Sequence, residues 1–179
     1  RYDLSDALAV ATYLNIFVRH ARTVRMANLA QMVNVIAPIF TRDNAMFLQT
    51  IYHPIQLISR HTQEVALDVW VDGPTHQLVE AAEDMHWLWP LPVADLSPFP
   101  MLDVAATRDE AGTEVVLSVV NRDPKNAIEA ELEVLSAAIA GAGRAYVVNG
   151  PDVTSTNDFD RPAEVGVIES EALTGPGST

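Results

Sequence analysis

The chain has 179 residues, enough for one ordinary domain or for a small domain plus part of another. Hydrophobic residues make up 49%, which supports a packed core and argues against disorder, and no apolar stretch approaches the length of a membrane span. A net charge of −13 argues against nucleic acid and anionic membranes as partners, and the absence of cysteine excludes disulfides and thiolate chemistry.

The charge is unevenly spread. Residues 1–63 hold six Arg against three Asp, whereas residues 64–179 hold five basic against 21 acidic residues. Such a sign change marks a boundary. A cysteine-free chain is compatible with a cytoplasmic home, and Arg1-Tyr2-Asp3 does not open a signal peptide.

In chain order, Asp3-Leu4-Ser5-Asp6 reads as a capped helix start. Leu8, Ala11, Leu14, Phe17, Val18 and Ala21 follow at helical spacing, so an amphipathic helix is expected over 4–21. Arg19, His20 and Arg22 lie at its C-terminal end, where the helix dipole favours cations. The short apolar run 23–31 fits a buried parallel strand. Pro38 and the turn Arg42-Asp43-Asn44 mark a long loop with its own local structure. Pro54 belongs in a first helical turn, which predicts a second helix from about Tyr52 to His61. Helix, strand, loop, helix is the rhythm of an α/β layer.

After Gln63 the period becomes two. Strands are expected over 65–71, 101–107, 113–120, 128–135, 144–149 and 164–168, with a hairpin around Asp109-Glu110-Ala111-Gly112. Many short strands with turn residues between them suggest a sandwich. Segment 89–100 reads as a proline-rich surface connection and the tail 174–179 as linker-like.

The stretch Met26-Ala27-Asn28-Leu29-Ala30-Gln31-Met32-Val33-Asn34-Val35-Ile36-Ala37-Pro38-Ile39 closely resembles the end of the barrel in α-L-arabinofuranosidases of glycoside hydrolase family 51. The segments Asp6-Ala7-Leu8 to Asn15-Ile16-Phe17 and Phe47-Leu48-Gln49-Thr50-Ile51-Tyr52-His53-Pro54 resemble the flanking helices. Val119-Val120-Asn121-Arg122 and Thr156-Asn157-Asp158-Phe159-Asp160-Arg161-Pro162 match weaker motifs farther on. The resemblance implies an α/β plus all-β fold: the last part of a (β/α)8 TIM barrel over 1–62, followed by a C-terminal jelly-roll-type β-sandwich over 63–179. It implies retaining, exo-acting hydrolysis of terminal α-L-arabinofuranosyl groups from arabinan, arabinoxylan and arabino-oligosaccharides. The two catalytic glutamates are expected upstream of Arg1, and the strand closing the sandwich beyond the chain.

Retaining hydrolysis needs two carboxylates roughly 5 Å apart across the anomeric carbon. Residues 1–62 offer only Asp3, Asp6 and Asp43, at a helix start and in a turn, so no catalytic residue is assigned here. The substrate-binding candidate is Gln31, just past the expected strand on the face where barrel active sites are built. Its amide can bind adjacent sugar hydroxyls, and the resemblance implies an arabinose contact; the plain alternative is an amide that satisfies loop backbone. Asn28 and Asn34 read as structural. His20, His53 and His61 lack metal-ligand spacing. Trp70, Trp87 and Trp89 suit either sugar stacking or packing. Glu129, Glu131 and Glu133, and Asp158 with Asp160, read as a solvated strand face and a turn rather than a calcium site.

No metal and no cofactor are expected. The partners implied are an arabinofuranosyl-containing oligo- or polysaccharide, the upstream barrel segment, and further copies in a homo-oligomer. The chain alone is expected to be inactive and to fold poorly, because a lone barrel strand leaves backbone groups unpaired. A carbohydrate-binding module and a purely structural piece are the alternatives.

Overall fold

The computed structural model describes residues 1–77, 98–135 and 143–172. Its elements, in order, are α1 (Leu4–Arg19), β1 (Ile39–Arg42), β2 (Ala45–Leu48), α2 (Tyr52–His61), β3 (Val65–Leu67), β4 (Thr75–His76), β5 (Phe99–Pro100), β6 (Leu102–Arg108), β7 (Val115–Asn121), β8 (Gly143–Asn149) and β9 (Gly166–Ala172).

Helix α1 starts where the sequence places it. Asp3 caps it, accepting from the Asp6 backbone N–H, while the Asp6 carboxylate accepts from the Asp3 N–H in return. Two further N–H groups of the first turn, from Leu4 and Ser5, donate to the carbonyls of Ser155 and Val153. The helix buries Leu4, Ala7 and Asn15 and ends at Arg19, two residues earlier than expected. Leu4 and Ala7 pack on Val165, with Val148 beside them. Helix α2 carries Pro54 in its first turn, where its missing N–H has no intrahelical partner to lose.

The described strands form four small antiparallel sheets: β1–β2, β3–β6–β7, β4–β5 and β8–β9. Hairpin β6–β7 pairs Leu102 with Asn121 through Arg108 with Val115, around the expected turn. The Asp109 carboxylate holds that turn, accepting from the Thr113 and Glu114 N–H groups and from the Thr113 hydroxyl, and Gly112 takes the positive φ of 71°. Helix α1 lies on β6 and β7. Arg19 grips Asp103 with both guanidinium nitrogens at 3.0 Å, Arg122 reaches the same carboxylate at 3.1 Å, and the buried Asn15 amide donates to it at 2.9 Å.

Two expected strands do not form. Segment 23–31 is irregular and mostly exposed, because no described strand lies beside it to pair its N–H and C=O groups. An isolated parallel bridge, Val33 to Ile39, follows it. Residues 128–135 are also irregular: carboxylates at every second position favour water, and no described strand flanks them. The strand expected over 65–71 is confined to Val65–Leu67. The one expected over 164–168 runs instead from Gly166 to Ala172. The loop expected after Pro38 contains the short hairpin β1–β2, with Asp43 at a φ of 52° in its turn.

Candidate functional site

Gln31 lies in the exposed segment before β1 and makes no hydrogen bond among the described residues. Asn28 is likewise exposed. Six large apolar side chains around them, Met26, Leu29, Met32, Val33, Val35 and Ile36, are also exposed. Leu29 and Met32 line a shallow cleft against Pro38 and the α2 residues Tyr52, Ile55, Gln56, Ser59 and Arg60.

Asn34 is structural, as its sequence position suggests. It stands at a φ of 60°, followed by Val35 at 61°. Asparagine tolerates the left-handed region, whereas a β-branched residue there is strained. The Asn34 side chain accepts from the Thr41 N–H at 2.8 Å and donates to the Thr41 hydroxyl at 3.1 Å. Beneath this loop lies fully buried Gln49, whose amide donates to the Ala37 carbonyl at 2.6 Å and accepts from the Tyr2 N–H at 3.0 Å.

The acidic residues of the first 62 positions have structural positions. Asp3 and Asp6 form the capping box, and Asp43 turns the β1–β2 hairpin. Asp158 also closes a turn, accepting from the N–H groups of Asp160 and Arg161 with Arg1 at 3.1 Å. Those backbone donors hold its carboxyl below the usual aspartate range. Glu129, Glu131 and Glu133 are exposed. Among the described residues, no three His, Asp or Glu side chains gather closely enough to hold a metal ion.

The histidines are dispersed. His20 is exposed, and His61 stacks on Tyr146 with ring centroids 4.5 Å apart. His53 is buried at the edge of a cleft of about 400 Å³ lined also by Leu48, Asn149, Pro162, Val165 and Ile168. Burial pushes its imidazole below the ordinary histidine range, a hydrogen bond with the Val165 backbone opposes this, and Nε2 has no partner among the described residues. The folded state therefore favours the neutral ring. Stability from this residue is present above the unfolded value near 6.5 and is lost as pH falls through the lower folded value. The Tm of the intact protein should accordingly fall on acidification from about pH 7, before carboxylates titrate. His53→Leu should flatten that slope, and an unchanged slope would assign it to other groups.

Trp70 is 91% exposed, while Trp87 and Trp89 lie outside the described residues. What the sequence conceals are the buried polar side chains: Asn15, Gln49, Thr50 and Asn157. Asn157 donates to the carbonyls of Leu48 and Val165 at 2.9 and 2.8 Å and accepts from the Val165 N–H at 2.8 Å. Gly150 sits so close by that a Cβ there would meet the Val165 side chain at 2.8 Å.

In this architecture the chain is similar to glycoside hydrolases. A solved GH51 α-L-arabinofuranosidase from Thermotoga petrophila RKU-1 superposes with a TM-score of 0.79 at 26% identity, over 97% of this chain and 35% of that one. The chain belongs to the α-L-arabinofuranosidase C-terminal domain family, whose model matches residues 1–178. It is 38% identical over 169 residues to a probable α-L-arabinofuranosidase C of Aspergillus clavatus, covering 94% of this chain and 31% of that protein. An intracellular exo-α-(1→5)-L-arabinofuranosidase of Halalkalibacterium halodurans is 30% identical over 136 residues, 75% of this chain and 24% of that protein. The chain thus spans about a third or less of the length of these relatives.

Proposed function

We propose that this chain is the C-terminal portion of a retaining, exo-acting α-L-arabinofuranosidase, in which Gln31 binds the terminal arabinofuranosyl group. The observation carrying this reading is the segment 26–36: six exposed apolar side chains surround an exposed amide without a described partner, within a chain of this family. Apolar surface of that kind calls for a neighbour. A (β/α)8 barrel would supply it, pairing segment 23–31 as the eighth strand between α1 and α2. The outward row Val115, Leu117 and Val119 on β7 supports a second layer, as in a jelly-roll sandwich. The nucleophile and acid/base carboxylates would come from elsewhere in the protein, since Asp3, Asp6 and Asp43 occupy structural positions. Substrates in this reading are arabinan, arabinoxylan and arabino-oligosaccharides. A cytoplasmic location, supported by the name of the Halalkalibacterium relative, and a homo-oligomeric assembly belong to the same proposal.

The test is steady-state hydrolysis of an aryl α-L-arabinofuranoside. The intact protein should turn it over, and the 179-residue polypeptide alone should not. In the intact protein, Gln31→Ala should lower kcat/KM about tenfold, because a lost neutral hydrogen bond with one partner left unpaired costs about 1.4 kcal/mol. A fall in kcat as well would mean that the contact strengthens in the oxocarbenium-like transition state. Unchanged kinetics in a folded variant would make Gln31 structural.

A further inference from the structure

We propose that Asn34 is a positioning residue for Gln31, fixing the place of the sugar-binding amide without touching the sugar. The inference rests on the substrate-binding role of Gln31 given above. All four polar atoms of Asn34 are engaged in closing one loop. Its N–H donates to the Ile39 carbonyl at 2.8 Å, and its own carbonyl accepts from the Ala37 N–H at 3.0 Å. Its side-chain oxygen and nitrogen both bond Thr41, at 2.8 and 3.1 Å. Each of its polar atoms is thus already bonded within the loop.

The loop that these bonds close is anchored from beneath. Thr41 belongs to β1, which pairs with β2, and Gln49 holds the carbonyls of Ala37 and Pro38 with its side-chain amide and its backbone N–H. Gln31 has no hydrogen bond of its own among the described residues. Its backbone is instead held at one remove: Val33 bridges Ile39, and Asn34 follows. Only Met32 separates Gln31 from that bridge, and each residue of chain spans at most ~3.6 Å. The left-handed pair Asn34–Val35 turns the chain out of the segment carrying Gln31 and into β1. Val35 does not choose that conformation by itself, so the bonds of Asn34 maintain the turn. Release of the Thr41 clamp would let the turn relax, and the Gln31 amide would shift relative to the bound ring. A misplacement of ~1 Å can cost as much as a hundredfold in catalysis.

The experiment is a double-mutant cycle in the intact protein, read by hydrolysis of an aryl α-L-arabinofuranoside. Asn34→Gly removes both side-chain bonds and keeps the backbone conformation accessible. Asn34→Asp retains the acceptor for the Thr41 N–H and lets the Thr41 hydroxyl donate in place of the lost amide. Asn34→Gly should lower kcat/KM about fivefold to tenfold and alter the same parameter, KM or kcat, that Gln31→Ala alters. Asn34→Asp should restore activity to within about twofold. In the Gln31→Ala background, Asn34→Gly should have less than about a twofold further effect, since neighbours acting through one group are not additive. An equal loss in both backgrounds, or no loss, overturns the positioning role while leaving Gln31 as a substrate contact. A Gln31→Ala enzyme with unaltered kinetics overturns the substrate contact itself, and the positioning role with it. Should Asn34→Gly fail to fold, Thr41→Val removes only the hydroxyl partner. It should then give a twofold to threefold loss that disappears in the Gln31→Ala background, and persistence of the loss there counts against the proposal.

Discussion

Asp103→Ala is expected to remove about 3 kcal/mol of stability. The carboxylate is buried and is gripped by two guanidinium groups and by the Asn15 amide. Its removal leaves two cations facing each other with no counter-charge, the circumstance in which breaking a buried pair costs ~3–5 kcal/mol. The lower end applies because the Arg19 and Arg122 side chains are 31% and 23% exposed and recover some hydration. Asn15 loses one acceptor but retains the Asp103 and Ser118 carbonyls nearby, at 3.3 Å each. Asp103→Asn should be damaging as well, since it preserves shape and discards charge. A triple replacement of Arg19, Asp103 and Arg122 by apolar residues of similar volume should be much less harmful than either single change. Urea unfolding of the intact protein measures these differences. A single variant within ~0.5 kcal/mol of wild type would show that the triad is dispensable to the packing of α1 on β6 and β7.

Asn157→Ala should be comparably severe, at about 3 kcal/mol. The residue is 1% exposed and satisfies three backbone groups at once: the Leu48 carbonyl and both the carbonyl and N–H of Val165. A buried donor or acceptor left without a partner costs ~1–3 kcal/mol, and alanine offers none of the three bonds. Asn157→Asp separates satisfaction from shape. It still accepts from the Val165 N–H, but it turns a carboxylate oxygen toward two carbonyl oxygens. The Asp variant should therefore be as unstable as the Ala variant at neutral pH and recover partly in acid, where a protonated carboxyl can donate again. Tm measured against pH for both variants decides the matter. An Asp variant as stable as wild type at pH 7 would mean that water replaces the lost donor.

Local signals in the sequence were sufficient for elements whose hydrogen bonds close within themselves. The Asp3–Asp6 capping box, Pro54 in the first turn of α2 and the Asp109–Gly112 turn all use partners within a few residues, so their chemistry is visible in a short window. The buried polar residues are different. Asn15 shares the buried face of α1 with Leu4 and Ala7, and its partners are 88 and 103 residues away. Asn157 reaches back 109 residues to Leu48. Nothing in the spacing of either announces such a partner. Segments 23–31 and 128–135 fail for the opposite reason: both have strand-like composition, but a strand is defined by its neighbours, and no described strand stands next to them. Gln31 was singled out by the motif around it, and the structure places it on an exposed stretch beside a clamped loop.

The start of α1 is finished by residues from the far end of the chain. Leu4 and Ser5 donate to Ser155 and Val153, Asp3 bridges Thr156, and Arg1 pairs with Asp158. During synthesis the first turn of α1 therefore emerges about 150 residues before its partners, a delay of roughly 8–30 s at ~5–20 residues per second. Through that interval the capping box can hold the turn only locally, and the apolar face of the helix waits without Val165. Closure of so long a loop precedes any energetic return from it, so this junction is expected to form late in folding. Slower translation between Arg19 and Val153, which separate the two halves of this junction, should then lengthen that exposure and with it the loss to aggregation.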